Sequence, residues 1–148
     1  MEDADGSIWI ATDQGLYFTS ELSGTWNVVN MTFTNKNINY EITDLLQLKT
    51  GEYWLTVWGG GVITLNNRFQ KYDAGIYRNF AKSTNWQHYD QAWCMYQDSS
   101  QLVWIGCQGG KYILHHPITQ KTSFEVLKEA ENATIRYITG AKNNTIFI

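Results

Sequence analysis

Apolar and polar residues alternate along this chain in short runs that end at glycine or asparagine. Residues 53–57 are apolar at nearly every position, which indicates a strand covered on both faces. Residues 41–48 place Ile42, Leu46 and Leu48 on one face, and Gly51 then provides the backbone freedom that a tight hairpin needs. The pattern therefore predicts short antiparallel strands joined by turns.

The run around Trp9 recurs along the chain. Similar segments surround Trp54 and Trp104, and Phe147 occupies the same place in a last, truncated copy, so the aromatic positions lie 45, 50 and 43 residues apart. Periods of this length indicate a repeat architecture. We place the repeats at roughly 1–34, 35–84, 85–131 and 132–148, within a single domain of residues 1–148.

Each repeat is predicted to form four strands. In the second repeat these are residues 41–48, 53–57, 62–65 and 68–73. The first repeat lacks its first strand and has its third and fourth at 15–18 and 25–29. The third repeat includes strands at 92–96, 111–114 and 123–127, and residues 135–138 begin a further unit. Residues 74–91 are expected to form an inserted polar and aromatic loop.

Four antiparallel strands in about 45 residues with glycine turns are typical of a β-propeller blade. The fold class is thus all-β, with about three blades plus a partial one, and the tryptophan of each second strand is expected to pack between blades. Propellers close with four to eight blades. We therefore expect a fragment of a larger propeller, whose open blade faces favour self-association.

The composition and charge of the chain argue against two features, a nucleic-acid partner and a membrane-spanning segment. Aromatic residues make up 15% of the chain and charged residues 17%, with a formal net charge of −3. No lysine or arginine cluster is present, which argues against a nucleic-acid partner. No apolar run is long enough for a membrane segment.

The repeats resemble the two-component regulator propeller family. The resemblance rests on DGSIWIAT at residues 5–12 with Gly15-Leu16, on Gly59-Gly60-Gly61-Val62, and on Trp104-Ile105-Gly106 with Gly109-Gly110. The second copy departs from it, since Tyr53-Trp54-Leu55-Thr56 lacks the glycine. The family resemblance implies the periplasmic sensor region of a hybrid two-component sensor histidine kinase of Bacteroides type, anchored in the inner membrane. Many members sense oligosaccharides, and the kinase lies outside this chain.

Two neighbouring propeller families fit less well. A sialidase-type Asp box needs a spacer between aspartate and glycine, but Asp5 and Gly6 are adjacent. A WD-type blade ends in a Trp-Asp pair, which occurs nowhere in the chain. An enzyme of the propeller class, such as a glycan hydrolase or lyase, and a purely structural segment remain alternatives to a sensor.

A candidate ligand site follows from blade topology. The connection after each second strand and the connection into the next blade open on one rim, where aromatic faces suit sugar rings and polar groups suit hydroxyls. The predicted ligand-binding residues are Gln14, Tyr40, Trp58, Trp86, His88, Tyr89 and Gln108. For Trp58 and Trp86, a packing role is an equal alternative to ligand binding. For His88, the alternative is a solvated loop residue that binds no ligand.

No catalytic residue, metal or cofactor is predicted. His115 and His116 are adjacent on a strand, so their side chains point to opposite faces, and no third ligand lies nearby in sequence. Cys94 and Cys107 flank one hairpin, and whether they pair depends on the register of its strands.

Overall fold

The computed structural model describes residues 1–2, 6–19, 24–29, 41–65, 76–78, 89 and 91–148. These residues form antiparallel β-sheets that follow one another in chain order. The first sheet has three strands, and Met1 and Glu2 lie against its first strand through the bridge between Glu2 and Ile8. Its strands are β1 (Ile8–Thr12), β2 (Gly15–Thr19) and β3 (Asn27–Val29).

The second and third sheets have four strands each, and every strand pairs with its neighbours in the chain. This confirms the predicted four-stranded blades of an all-β propeller fold. The second sheet comprises β4 (Ile42–Gln47), β5 (Tyr53–Val57), β6 (Gly61–Leu65) and β7 (Ile76–Arg78). The third comprises β8 (Ala92–Gln97), β9 (Val103–Cys107), β10 (Lys111–His115) and β11 (Thr122–Val126).

The outer strand of the second sheet differs from the prediction. β7 pairs with β6 through Tyr77 opposite Ile63, inside the segment expected to be a loop. The predicted strand at 68–73 lies outside the described residues. Strand pairing depends on which segment meets the open edge of β6, and the alternation along one segment does not contain that information.

The last unit is a two-stranded hairpin of β12 (Thr139–Gly140) and β13 (Ile146–Phe147). Residues 135–138, which are predicted to begin this unit, form no β-ladder. Ile135 and Ile138 are nevertheless buried, and the Ile135 amide donates to the Cys107 carbonyl at 3.0 Å. Residues 135–138 therefore pack on the third sheet, and the chain then continues into β12, which pairs with β13.

One backbone conformation repeats in all four units. The residue three positions before the motif aromatic residue has a positive φ: 83° at Gly6, 89° at Gly51, 69° at Gln101 and 62° at Asn144. Glycine adopts this conformation without strain, and asparagine more readily than most residues. The turn before each motif strand is thus conserved in shape among the units even where its glycine is replaced.

The hydrophobic core lies between the sheets. Trp9 packs with Tyr53, Leu55 and Val57 of the second sheet. Trp54 packs with Val103, Ile105 and other residues of the third. Trp104 packs with Ile135, Ile138 and Ile146 of the last unit. Each motif tryptophan therefore packs against the next unit, as predicted for all three.

Polar contacts also join the innermost strands. The Asp44 carboxylate accepts from the Met95 amide at 2.7 Å, and the Thr43 hydroxyl donates to the Ala92 carbonyl at 2.9 Å. Both β4 and β8 carry a register shift at this level, which turns side chains of β4 toward the backbone of β8.

The cysteines are free. Because of the register shift in β8, Cys94 lies opposite Gly106 and Cys107 opposite Ala92. Cys107 belongs to the core beside the second sheet, and Cys94 to the core beside the last unit. Burial, together with the nearby Asp44 carboxylate, raises the pKa of the Cys94 thiol to about 12, so this thiol is not a ready nucleophile.

Candidate functional site

The turns of successive blades gather on two opposite rims. At one rim, which we call the back rim, the Lys49 amide donates to the Gln97 side chain and its ammonium group to the Asp98 carbonyl, each at 2.8 Å. There too, the Ser99 hydroxyl bonds to the Asn144 side chain at 2.7 Å. Antiparallel strands place the remaining turns at the other ends. This front rim carries the turns at residues 13–14, 58–60 and 108–110.

Gln14 and Trp58 lie on the front rim, as predicted. The Gln14 amide donates to the Thr12 hydroxyl at 3.0 Å, which fixes the turn and leaves the Gln14 side chain exposed. The Trp58 amide donates to the Glu41 carbonyl at 3.0 Å. The Trp58 side chain is 38% exposed, enough to offer part of its ring to a ligand.

Gln108 lines a groove of about 460 Å³ at the front rim of the third blade. The other lining residues come from the turn between β9 and β10, the first position of β10, the last position of β11 and the connection into the last unit. They are Gly109, Lys111, Val126, Glu131 and Asn132. Two amides, an ammonium group and a carboxylate thus line one groove with a single aliphatic side chain, a combination that can donate to and accept from a polar ligand.

Gly110 holds the two sides of this groove together. Its amide donates to the Ala133 carbonyl at 2.7 Å, and its carbonyl accepts from the Leu127 amide at 2.8 Å. A Cβ at Gly110 would collide with the Ala130 carbonyl and lie 2.7 Å from the Leu127 oxygen. The absence of a side chain therefore lets the 3₁₀ turn Lys128–Ala130 fold against the β9–β10 connection.

Tyr89 lies beside the groove but is only 9% exposed. Its hydroxyl donates to the Glu125 carbonyl at 3.2 Å, and its ring packs edge-on against Phe124 at 5.2 Å between centroids. The Lys111 ammonium lies 5.2 Å from the Tyr89 ring centroid. Burial, followed by the charges of Cys107 and Glu125, raises the pKa of the Tyr89 hydroxyl. Tyr89 therefore supports Lys111 from below and has little free face for a sugar.

The other predicted ligand-binding residues, Tyr40, Trp86 and His88, lie outside the described residues. Sequence reasoning missed Lys111, Glu131 and Asn132. Lys111 directly follows the Gly109-Gly110 pair, a signal that could have marked it. Glu131 and Asn132 follow a 3₁₀ turn that has no repeated pattern in the chain, so their position depended on the fold.

The back rim carries a second groove of about 280 Å³ at the outer part of the third blade. It is lined by Leu102, Leu114, His116, Thr119, Lys121, Thr122 and Ser123. His115 is buried, its Nδ1 lies 2.8 Å from the Thr122 hydroxyl, and its ring lies 5.5 Å from that of Trp54. The described residues contain no group of three potential metal ligands.

The described part of the chain has no helix with the length and apolar character required to cross a membrane.

No protein-family model matches the chain, and neither does any curated protein sequence. Solved structures do match in fold. The extracellular domain of the hybrid two-component system BT4673 from B. thetaiotaomicron has a TM-score of 0.75 at 14% identity, covering 99% of this chain and 20% of that one. For the BT3049 extracellular domain of the same organism the TM-score is 0.64, at 14% identity, with 99% and 24% covered.

A third similar structure is that of a lyase. The catalytically inactive histidine-to-alanine variant of virginiamycin B lyase from Staphylococcus aureus with quinupristin has a TM-score of 0.70 at 13% identity. The match covers 99% of this chain and 46% of that one. The chain therefore spans less than half the length of these structures, and at such identities the likeness is one of fold.

Proposed function

We propose that this chain is a ligand-sensing segment of the periplasmic propeller of a hybrid two-component sensor histidine kinase. The observation that carries the proposal is the shared fold: 99% of the chain superposes on extracellular domains of two such systems, with TM-scores of 0.75 and 0.64. The repeat motif around Trp9, Trp54 and Trp104 supports the same assignment. The kinase and the inner-membrane anchor belong to the parent protein outside this chain.

The proposed ligand is an oligosaccharide bound at the front rim. A groove of about 460 Å³ lies within the usual range for small-molecule sites. Gln108 and Asn132 can donate and accept hydrogen bonds, Lys111 can only donate, and ionised Glu131 can only accept, which together match the mixed demands of sugar hydroxyls. Trp58 offers an exposed ring on the neighbouring blade. Gln14 lies on the same rim. Tyr40, Trp86 and His88 stay predicted ligand-binding residues.

Signalling would follow from differential binding. A ligand that contacts two blades favours the arrangement in which both sets of contacts form, and it shifts the receptor toward that arrangement. Trp58 lies on the second blade and the groove on the third, so a ligand that reaches both would bias how these blades pack.

Lyase activity is the second candidate function, favoured by the fold shared with virginiamycin B lyase. In that protein a histidine-to-alanine change abolishes catalysis. In the described part of this chain, His115 is buried against Trp54 and His116 lines the back-rim groove, away from the proposed ligand rim. The third histidine, His88, is the one predicted for the front rim, and it lies outside the described residues.

The test begins with a glycan array, followed by calorimetry and product analysis on the longest polypeptide that carries this chain. We expect oligosaccharide binding without cleavage, and Trp58→Ala should weaken it by ~1–2 kcal/mol if the ring stacks on the sugar. Lys111→Met and Glu131→Gln should also weaken binding. The matched controls Ile118→Ala and Lys121→Met, at the back-rim turn, should not. Cleavage of the glycan would contradict the sensor proposal and support the enzyme.

A further inference from the structure

One position of the repeat, eleven residues before each motif aromatic residue, is occupied by Thr43, Trp93 and Arg136 in the second, third and last units. Thr43 and Trp93 are the residues that the ladders of β4 and β8 skip at their register shifts. A shift of this kind re-aims the side chain of the skipped residue. β4 and β8 are innermost strands, which border the central channel of a propeller.

The side chain at this position contacts the following unit. The Thr43 hydroxyl donates to the Ala92 carbonyl at 2.9 Å, and the Arg136 guanidinium carbon lies 4.5 Å from the Trp93 ring centroid. A cation over an indole face is attracted by the ring. Thr43 and Trp93 remain half-buried although the following unit packs against both. Solvent therefore reaches this level of the channel even where two units meet.

The stacked pair of Trp93 and Arg136 lies on the inner side of the front rim. The Gln108 amide donates to the Gln91 carbonyl, two residues before Trp93, at 3.3 Å. The Cys107 carbonyl accepts from the amide of the residue before Arg136 at 3.0 Å. Gln108 lines the front-rim groove of about 460 Å³. A ligand in that groove thus has the stacked pair next to it, on the side of the channel.

The stacked pair offers hydrogen-bond donors without an acceptor. No carboxylate of the described residues forms an ion pair with the Arg136 guanidinium. The Trp93 Nε1 donor is buried and lacks a hydrogen-bond partner in the same part of the chain, which costs free energy. Guanidinium and indole N–H groups can only donate, so their complement is a group that only accepts. Ionised carboxylates and sulfate esters are such groups, and both pair well with guanidinium.

We propose that Arg136, stacked on Trp93, binds the carboxylate or sulfate group of an acidic oligosaccharide at the inner side of the front rim. The anion site follows from the geometry of the stacked pair, whereas its assignment to a sugar rests on the proposed function. The groove residues then contact the hydroxyls of the same ligand. Because the pair joins the third blade to the last unit, the anion contacts two successive units at once.

The first experiment titrates the chain with sodium sulfate and with sodium acetate, using sodium chloride at matched ionic strength as the reference. In an NMR spectrum, the indole N–H signal of Trp93 should shift along a saturating curve with sulfate or acetate and not with chloride. Arg136→Gln should weaken this binding roughly tenfold, as expected when a hydrogen bond between charged groups is lost. Arg136→Lys should weaken it less, because lysine keeps the charge and loses the planar fork.

The matched control is Lys142→Gln, which also removes one positive charge from the last unit. Lys142 is exposed in the turn that reaches the back rim through Asn144, so its loss should leave anion binding unchanged. A shift that does not saturate in the unaltered chain would overturn the proposal. So would equal binding by Arg136→Gln with an unaltered circular dichroism spectrum, or equal weakening by Lys142→Gln, which indicates unspecific attraction.

The second experiment compares acidic glycans with their carboxyl-reduced or desulfated counterparts on an array, using the longest polypeptide that carries this chain. We expect the acidic forms to bind more strongly, and Arg136→Gln to remove that preference while Lys142→Gln retains it. Loss of binding on carboxyl reduction identifies a uronate, and loss on desulfation identifies a sulfate ester. Equal binding of acidic and neutral forms would overturn the acidic ligand and leave the sensor proposal intact. Absence of all glycan binding, with the saturating sulfate or acetate shift present, would overturn the proposed oligosaccharide and leave the anion site.

Discussion

The motif hairpins of the second and third blades hold their tryptophans by different means. Trp54 is fully buried between two complete sheets, and the residue six positions before it is the buried Leu48. Trp104 is half-buried against a two-stranded unit, and the residue six positions before it is Asp98. The Asp98 carboxylate accepts from the Trp104 indole at 2.9 Å. The same backbone therefore anchors its aromatic residue by packing in the second blade and with the help of a side-chain hydrogen bond in the third.

The largest expected effect comes from removing the packed tryptophan. Trp54→Ala should lower the free energy of unfolding by ~3–5 kcal/mol, the usual range for deleting a buried aromatic side chain. Trp104→Ala should lower it by about 2 kcal/mol, because part of this ring already contacts water. Urea denaturation at one fixed protein concentration measures both, since association is linked to apparent stability. Equal losses would remove the distinction between the two hairpins.

The next effect tests how closely the last unit approaches the third blade. A Cβ at Gly106 would lie 2.5 Å from Ile135 Cγ2 and 2.6 Å from Cys94 Sγ, closer than packed atoms tolerate. Gly106→Ala should therefore destabilise by ~1–3 kcal/mol, the usual range for overpacking. In the second blade the equivalent residue is Thr56, whose larger side chain is accommodated and whose hydroxyl bonds to that of Thr43 at 2.8 Å.

A double-mutant cycle identifies the cause. In an Ile135→Ala background the space next to residue 106 is enlarged, so Gly106→Ala should cost less than it does in the unaltered chain. The same cost in both backgrounds would show that the glycine is needed for its backbone and not for the approach of the last unit.

The two hairpins also show how far sequence reasoning extends. The recurring tryptophans predicted the blades, the strand order within them and the packing of Trp54 between sheets, because alternation and glycine turns are local signals. The close approach at Gly106 and the groove residues Glu131 and Asn132 depend on how one sheet meets the next unit. The sequence of a single strand contains no information on how closely its sheet approaches the next unit.

The third effect concerns the aspartate anchor. Asp98→Asn removes an acceptor of the Trp104 indole, and we expect a loss of about 1 kcal/mol at neutral pH, discounted because the group is partly exposed. Partial burial acts to raise the pKa of Asp98, but hydrogen bonds from Ser100, Trp104 and Leu102 outweigh it and lower that pKa overall. A lowered folded-state pKa means that the stabilisation is present above the unfolded-state pKa and lost as pH falls through the folded-state pKa.

The difference between Asp98→Asn and the unaltered chain should therefore shrink as the solution is acidified below pH ~4. The indole N–H signal of Trp104 in an NMR spectrum should move over the same range. The control Asp13→Asn, in an exposed turn of the front rim, should change stability by less than ~0.5 kcal/mol. A difference that does not change with pH would assign the loss to altered turn geometry and not to the charged acceptor.

The smallest expected effect comes from Asp44, which anchors the second blade to the third. Its contribution to stability changes with pH in the direction opposite to that of Asp98. Burial raises the pKa of Asp44 despite hydrogen bonds from the Met95 and Leu45 amides. A raised folded-state pKa means that the folded chain binds the proton first, so this group's contribution to stability improves as pH falls from the folded-state to the unfolded-state pKa.

Asp44→Asn should change stability by less than ~1 kcal/mol at pH 7, because the amide loses an acceptor but avoids the burial of a charge. Unfolding free energies measured from neutral pH to below pH ~4 should then give difference curves of opposite slope for Asp44→Asn and Asp98→Asn. Parallel slopes would contradict the assignment of the two anchors.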